Sequence, residues 1–142
     1  MNQAVIGVGS NIEPERSVSE AKKILGKEQS MLRCSSWVQT KPIGFLQQPD
    51  FLNGAFLVET ELELEEFKSY LKDLEKRLGR VKTKNKFGPR VIDLDLLIWN
   101  GDVLDSDVYE REFVRNAVLE LLPDFKGASE NCFRDETERK SE

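Results

Sequence analysis

The chain has 142 residues, 39% of them hydrophobic and 33% charged, with a net charge of −5, which is enough for one domain with its own core and short for two. The acidic balance excludes a general nucleic-acid or membrane-surface binder, and no long apolar run marks a spanning segment. Cys34 and Cys132 are too few and too distant for a disulfide framework and histidine is absent, so the expectation is a soluble, intracellular, cytoplasmic protein.

Residues 4–9 form an apolar run suited to a buried strand that ends in Gly9-Ser10-Asn11. Those three residues read first as a tight turn and cap, and second as backbone that can approach a ligand. A helix follows, with Ser17 and Glu20 in capping-box spacing, Ala21, Ile24 and Leu25 as its apolar side, and Gly26 as its stop. Residues 31–40 and 51–59 predict the second and third strands. The segment 41–50 between them, with Pro42, Gly44 and Pro49, is too long for a hairpin turn, and long loops in compact domains are often functional. At the start of the third strand, the Asn53 amide can present donor and acceptor together to a heterocycle edge. Phe51 beside it can stack on a ring or simply join the core.

Leu64, Phe67, Leu71, Leu74 and Leu78 recur at helical spacing, predicting an amphipathic helix over 63–78 ended by Gly79. Within it, Glu75 reads as a solvated helix residue. Seven cations then follow with no acid among residues 76–90: Lys76, Arg77, Arg80, Lys82, Lys84, Lys86 and Arg90. Such a run is usually a solvated loop; in an acidic chain it is also a local funnel for a polyanion.

Residues 91–98 alternate as a strand, with Ile92, Leu94, Leu96 and Ile98 on one face and Val91, Asp93, Asp95 and Leu97 on the other. Strands deplete Asp, so two in one strand need a reason. Their Cα atoms stand about 6.5–7 Å apart, close enough to share a divalent cation. Hard carboxylate oxygens suit Mg²⁺. A polar sheet face is the competing reading of the pair taken alone. The cations just ahead of it tip the balance toward a site that holds phosphates by Lys, Arg and Mg²⁺ together. An RNA-binding module fits poorly, because the cation run is short and Phe87 is its only aromatic.

Asn100-Gly101 is a two-residue hairpin signal into residues 102–104. A last helix is expected over 110–122, closed by Pro123. From Gly127 the chain is polar, so residues 1–127 read as a single domain and 128–142 as a frayed tail. Strand, helix, strand, strand, helix, strand is the ferredoxin-like βαββαβ pattern of an α+β sandwich, an antiparallel sheet with helices packed on one face plus a C-terminal helix.

Across residues 4–125 the motifs resemble the 6-hydroxymethyl-7,8-dihydropterin pyrophosphokinase family. The resemblance is carried by Gly9-Ser10-Asn11, Thr40-x-Pro42-x-Gly44, residues 48–53 (Gln-Pro-Asp-Phe-Leu-Asn), residues 78–80 (Leu-Gly-Arg) and above all Phe87-Gly88-Pro89-Arg90-x-x-Asp93-x-Asp95. It implies transfer of the diphosphate of ATP to the pterin hydroxymethyl group in folate biosynthesis, with Asp93 and Asp95 holding two Mg²⁺ ions. Arg80 and Arg90 would join that pair as catalytic residues. It further implies a pterin site of Thr40, Pro42, Ile43, Phe51, Asn53, Phe87 and Phe113. The ATP side would comprise Lys72, Glu75, Arg80, Lys82, Arg90 and Arg111, and the contact at Leu96 stays open. The implied partners are ATP and the pterin, with no nucleic acid, no membrane and a monomeric chain. One departure stands out: residues 105–109 (Asp-Ser-Asp-Val-Tyr) replace a longer His-Pro-Arg-like stretch of the family. That shortening leaves a relative that only binds nucleotide or pterin as the alternative to an enzyme.

Overall fold

A computed structural model describes residues 1–42, 47–79 and 91–126. Among them the order is β1 (Asn2–Ser10), α1 (Pro14–Glu28), β2 (Ser30–Cys34), β3 (Val38–Thr40), β4 (Phe51–Thr60), α2 (Leu64–Arg77), β5 (Asp93–Trp99), β6 (Asp102–Val103), α3 (Asp107–Glu110) and α4 (Glu112–Leu121). The strands pair antiparallel in the order β2-β4-β1-β5-β6, with β3 alongside β4. This is an α+β fold.

Two apolar layers flank the sheet. On one face Ala4, Ile6 and Val8 of β1, with Phe56 and Val58 of β4, pack against Val18, Ala21 and Leu25 of α1 and Phe67, Leu71 and Leu74 of α2. On the other face Val5, Ala55, Leu57, Leu97 and Ile98 pack against Val108 of α3 and Ala117, Val118 and Leu121 of α4. The C-terminal helix therefore covers the face that α1 and α2 leave open.

The alternation expected along β5 breaks at its end. Ile6 pairs with Leu96, but Val5 pairs with Ile98, so β5 carries an extra residue. This bulge turns Ile98 away from Ile92 and Leu94 to join Leu97 under α4, and it brings Trp99 to the α1 and α2 layer. The expected second strand is likewise two short ones. Between them Ser35 donates its N–H to Ala55 O (2.9 Å) while its Oγ accepts from Ala55 N–H (2.8 Å). A side-chain oxygen thus replaces a carbonyl in the ladder, and regular pairing stops there.

α1 starts earlier and ends later than its capping signals suggest. Pro14, with its fixed φ, supplies the first turn after Glu13, and Ser17 is buried, donating its Oγ hydrogen to Ile12 O (3.0 Å). The helix also runs through Gly26 to Glu28. A Cβ on Gly26 would meet nothing within 4 Å, so Gly26→Ala should stabilise the protein by about 0.5–1 kcal/mol. A thermal melt with Tm unchanged or lowered would contradict this account of the helix.

α2 agrees closely with its sequence pattern. Glu63 and Glu66 form a reciprocal capping box, and Gly79 closes the helix at φ +99°. The end of α1 is tied to α2 through Glu28, which accepts from Arg77 Nη2 (2.6 Å), Arg77 Nη1 (2.9 Å) and Tyr70 Oη (2.8 Å). The Arg77 hydrogen bonds, then that from Tyr70, hold the Glu28 carboxyl at about 2 against an ordinary 4.5. Its stabilising effect is therefore complete above about pH 4.5 and is lost as pH falls toward about 2. Both side chains are well exposed, so Glu28→Gln should lower Tm by only roughly 1–3 °C at neutral pH. The gap between the two proteins should close in melts run toward pH 2, and a gap that widens there would contradict the assignment.

No helix among the described residues is long and apolar enough to cross a membrane.

Candidate active site

The site begins with two glycines. Gly7 and Gly9 lie two apart on β1 and so share a face, the one partly covered by α4. In the ladder Gly9 pairs with Asn53 on one side and Asp93 on the other; one step along, Gly7 pairs with Ala55 and Asp95. With neighbouring strands about 4.8 Å apart, Asn53 and Asp93 stand about 10 Å from each other across the sheet, with only a glycine between. A Cβ at Gly9 would lie 3.0 Å from Asn53 Oδ1, and one at Gly7 would lie 3.1 Å from Leu97 Cδ1. Side chains here would fill the floor and displace its polar wall.

Above this floor is a cavity of about 220 Å³. Its walls are Thr40, Lys41, Phe51 and Asn53 on one side, Asp93, Asp95 and Leu97 on the other, and Asp107, Arg111, Phe113, Val114 and Ala117 from the α3–α4 side. Asn53 is fixed in it, donating Nδ2–H to Thr40 Oγ1 (2.6 Å), and Phe51 and Phe113 bring aromatic surface from β4 and α4. A second cavity, of about 530 Å³, lies along the edge of β5. It is lined by Lys68, Leu71, Lys72 and Glu75 of α2, by residues 93–96, and by Asp105. Asp93 and Asp95 belong to both walls.

The structure thus brings Thr40, Phe51, Asn53, Phe113 and Arg111 together in the first cavity, and Lys72, Glu75 and Leu96 in the second. Pro42 is buried and does not line the first cavity. Ile43, Arg80, Lys82, Phe87 and Arg90 lie outside the described residues, as do most of the cation run and the tail. Among the described residues no cluster of three or more His, Cys, Asp or Glu forms a self-sufficient cation cage. Two carboxylates on one strand fit a Mg²⁺ that takes its other ligands from phosphates and water.

Glu75 is not the solvated residue its helix suggested. It is buried, and its Oε2 accepts the Leu94 N–H at 2.7 Å. The expected last helix is interrupted at Arg111, whose extended backbone (φ −114°, ψ 118°) joins α3 to α4. Arg111 Nε stands 3.3 Å from Asp107 Oδ1. Burial, and then the charge of Asp105, push the Asp107 carboxyl above its ordinary range, with Arg111 opposing.

Ser10 and Asn11, read in the sequence as a turn and cap or as backbone near a ligand, act here through their side chains. Buried Asn11 donates Nδ2–H to Gln48 Oε1 (2.7 Å) and Pro49 O (3.1 Å), tying the approach to β4 onto β1. Ser10 donates to Val91 O, just ahead of Asp93. The signal for the floor was in the text: glycines at i and i+2 of a strand leave one face bare.

A family model described as 7,8-dihydro-6-hydroxymethylpterin-pyrophosphokinase matches residues 5–123. A protein of Synechocystis named 2-amino-4-hydroxy-6-hydroxymethyldihydropteridine pyrophosphokinase is 31% identical over 135 residues, covering 86% of this chain and 67% of its own. A protein of the same name from Haemophilus influenzae is 30% identical, covering 87% of this chain and 84% of its own. The folate synthesis bifunctional protein of Arabidopsis thaliana is 32% identical over 130 residues, 84% of this chain but 27% of its own. With nearly its whole described length matched, and with Asn53, the bare glycine floor and the Asp93–Asp95 pair gathered on one sheet face, the chain belongs to the 7,8-dihydro-6-hydroxymethylpterin-pyrophosphokinase family.

Proposed function

We propose that the protein transfers the diphosphate of ATP to 6-hydroxymethyl-7,8-dihydropterin, releasing AMP, in folate biosynthesis. One observation carries the reading: Asp93 and Asp95 form the common wall of two cavities, as a group placed between two substrates must. The cavity over the glycine floor suits the pterin. Asn53 offers amide donor and acceptor to its polar edge, held in place by Thr40, while Phe51 and Phe113 supply the surface on which a flat ring packs. The cavity along β5 suits the nucleotide, with Leu71 and Leu96 as apolar wall and Lys72 beside it. Arg111 reaches the first cavity from the α3–α4 junction, where a cation meets phosphate oxygens. Arg80, Lys82 and Arg90, from the run ahead of β5, complete the phosphate side in this reading, with Ile43 and Phe87 on the pterin side.

In the transfer the pterin hydroxyl oxygen bonds to the β-phosphorus, the bond from that phosphorus to the oxygen shared with the α-phosphate breaks, and AMP leaves with the electron pair. The hydroxyl proton passes to solvent. When bound, Mg²⁺ neutralises the phosphate charge. Asp93 and Asp95 hold it at the wall between the substrates, so this chain contributes mainly alignment and charge balance. We read the sheet order, with β3 and β6 as additions, as ferredoxin-like, residues 1–127 as one domain, and the protein as a cytoplasmic monomer.

Asn53→Ala should weaken pterin binding by about 10- to 100-fold, while calorimetric titration finds ATP affinity within a few fold of wild type. Equal loss of both would contradict its place on the pterin side. The reaction itself is tested by incubating the protein with ATP, Mg²⁺ and the pterin. AMP and pterin diphosphate should form in equal amounts, and ADP instead of AMP would overturn the reading. Because Asp105 and Asp107 add negative charge beside both cavities, a chain that binds without transfer is the second reading. Saturable pterin binding with no AMP would establish it.

A further inference from the structure

Glu75 occupies a costly position. It lies on the apolar side of α2 next to Leu71 and Leu74, is 8% exposed, and a carboxylate there must be hydrogen-bonded to be tolerated. Its Oε2 accepts from the backbone N–H of Leu94 at 2.7 Å. Leu94 is the residue between Asp93 and Asp95.

The need for that contact comes from the topology. Among the described residues β6 pairs with β5 at Ile98 and Trp99 alone, so residues 93–96 have β1 on one side and no described strand on the other. Successive N–H groups of a strand point alternately to its two sides. With the Leu94 N–H directed out to Glu75, those of Asp93 and Asp95 are directed toward β1. The Leu94 side chain is meanwhile buried in the α1 and α2 layer, which leaves the two carboxylates on the opposite face. The short stretch bearing both Asp residues is thus gripped from both edges, by β1 and by one oxygen of Glu75.

We infer that Glu75 is a positioning residue for the Asp93–Asp95 pair, fixing the spacing and direction of the two carboxylates through the Leu94 N–H. The inference rests on the reading of that pair as the cation-holding wall, and it gives Glu75 a task other than contacting the nucleotide. A carboxylate used only to cover a strand edge would affect stability and leave cation affinity alone. A nucleotide contact would affect nucleotide affinity with or without metal.

The test is Mn²⁺ affinity, read by water-proton relaxation in the presence of α,β-methylene ATP, for wild type, Glu75→Gln and Glu75→Leu. AMP affinity without metal and Tm are measured alongside. Gln keeps an acceptor for the Leu94 N–H and Leu does not. We expect Glu75→Gln to bind Mn²⁺ within about threefold of wild type and Glu75→Leu to bind it at least about tenfold more weakly, with AMP affinity nearly unchanged in both. Glu75→Leu binding Mn²⁺ like wild type, Glu75→Gln as impaired as Glu75→Leu, or a loss confined to AMP affinity would each overturn the inference. If Glu75→Leu melts below the assay temperature, Glu75→Met and Glu75→Gln are compared by the same readout. Wild type that binds no Mn²⁺ would instead sink the reading of the Asp pair, so the two failures are distinguishable.

Discussion

Asp95→Ala should lose at least about 10³-fold in diphosphate transfer, roughly 4 kcal/mol of transition-state stabilisation, and keep its fold. The expectation of intact folding is as specific as the loss. Asp95 is exposed at the cavity wall, so no core contact disappears with it, and a metal-free protein is relieved of one of two neighbouring like charges. Steady-state AMP formation and a thermal melt on the same preparation check both halves. A variant with wild-type rate would remove Asp95 from the chemistry, and a variant that fails to fold would make it a structural residue.

Gly54→Ala should be among the most destabilising small substitutions in the described chain. Gly54 stands on the β4 face that receives Trp37, and a Cβ there would fall 2.5 Å from Trp37 Cε3 and 2.7 Å from Cζ3. The indole has little freedom to retreat, since its ring packs edge-on to buried Phe56 with centroids 5.7 Å apart. Overpacking of this kind costs about 2–3 kcal/mol, a fall in Tm of roughly 6–12 °C. The two positions share one space, so Trp37→Leu should recover part of the loss, and the double variant should be more stable than the sum of the single effects allows. Strict additivity in denaturant unfolding would contradict the steric account.

What could be read from the sequence was what depends on local periodicity and on residue chemistry. α2 was visible from its Leu and Phe spacing and from Gly79, and the hairpin at Asn100-Gly101 from its turn chemistry, with Asn100 at φ +49° and Gly101 at φ +87°. The Asp93–Asp95 pair stood out because strands avoid Asp. Features set by contacts distant in sequence were not visible. The bulge that reverses Ile98 depends on the register of β5 against β1, and the split between β2 and β3 depends on Ser35 meeting Ala55 some twenty residues on. Glu75 looked solvated because its neighbours in sequence are Lys and Leu; what buries it is the packing of α2 against β5, where its carboxylate meets the Leu94 N–H. The bareness of Gly7 and Gly9 gained meaning only once Asn53 and Asp93 were placed on either side of them.

The proposed function depends on two cavities with one shared wall, the Asp93–Asp95 pair. The measurement that addresses it most directly is a crystal structure of the chain with Mg²⁺, α,β-methylene ATP and 6-hydroxymethyl-7,8-dihydropterin. It should place the pterin ring over Gly7 and Gly9 against Asn53, and the nucleotide along the edge of β5, with the phosphates meeting the pterin hydroxymethyl group at Asp93 and Asp95. A pterin seated elsewhere, or a nucleotide whose phosphates stay away from that pair, would contradict it.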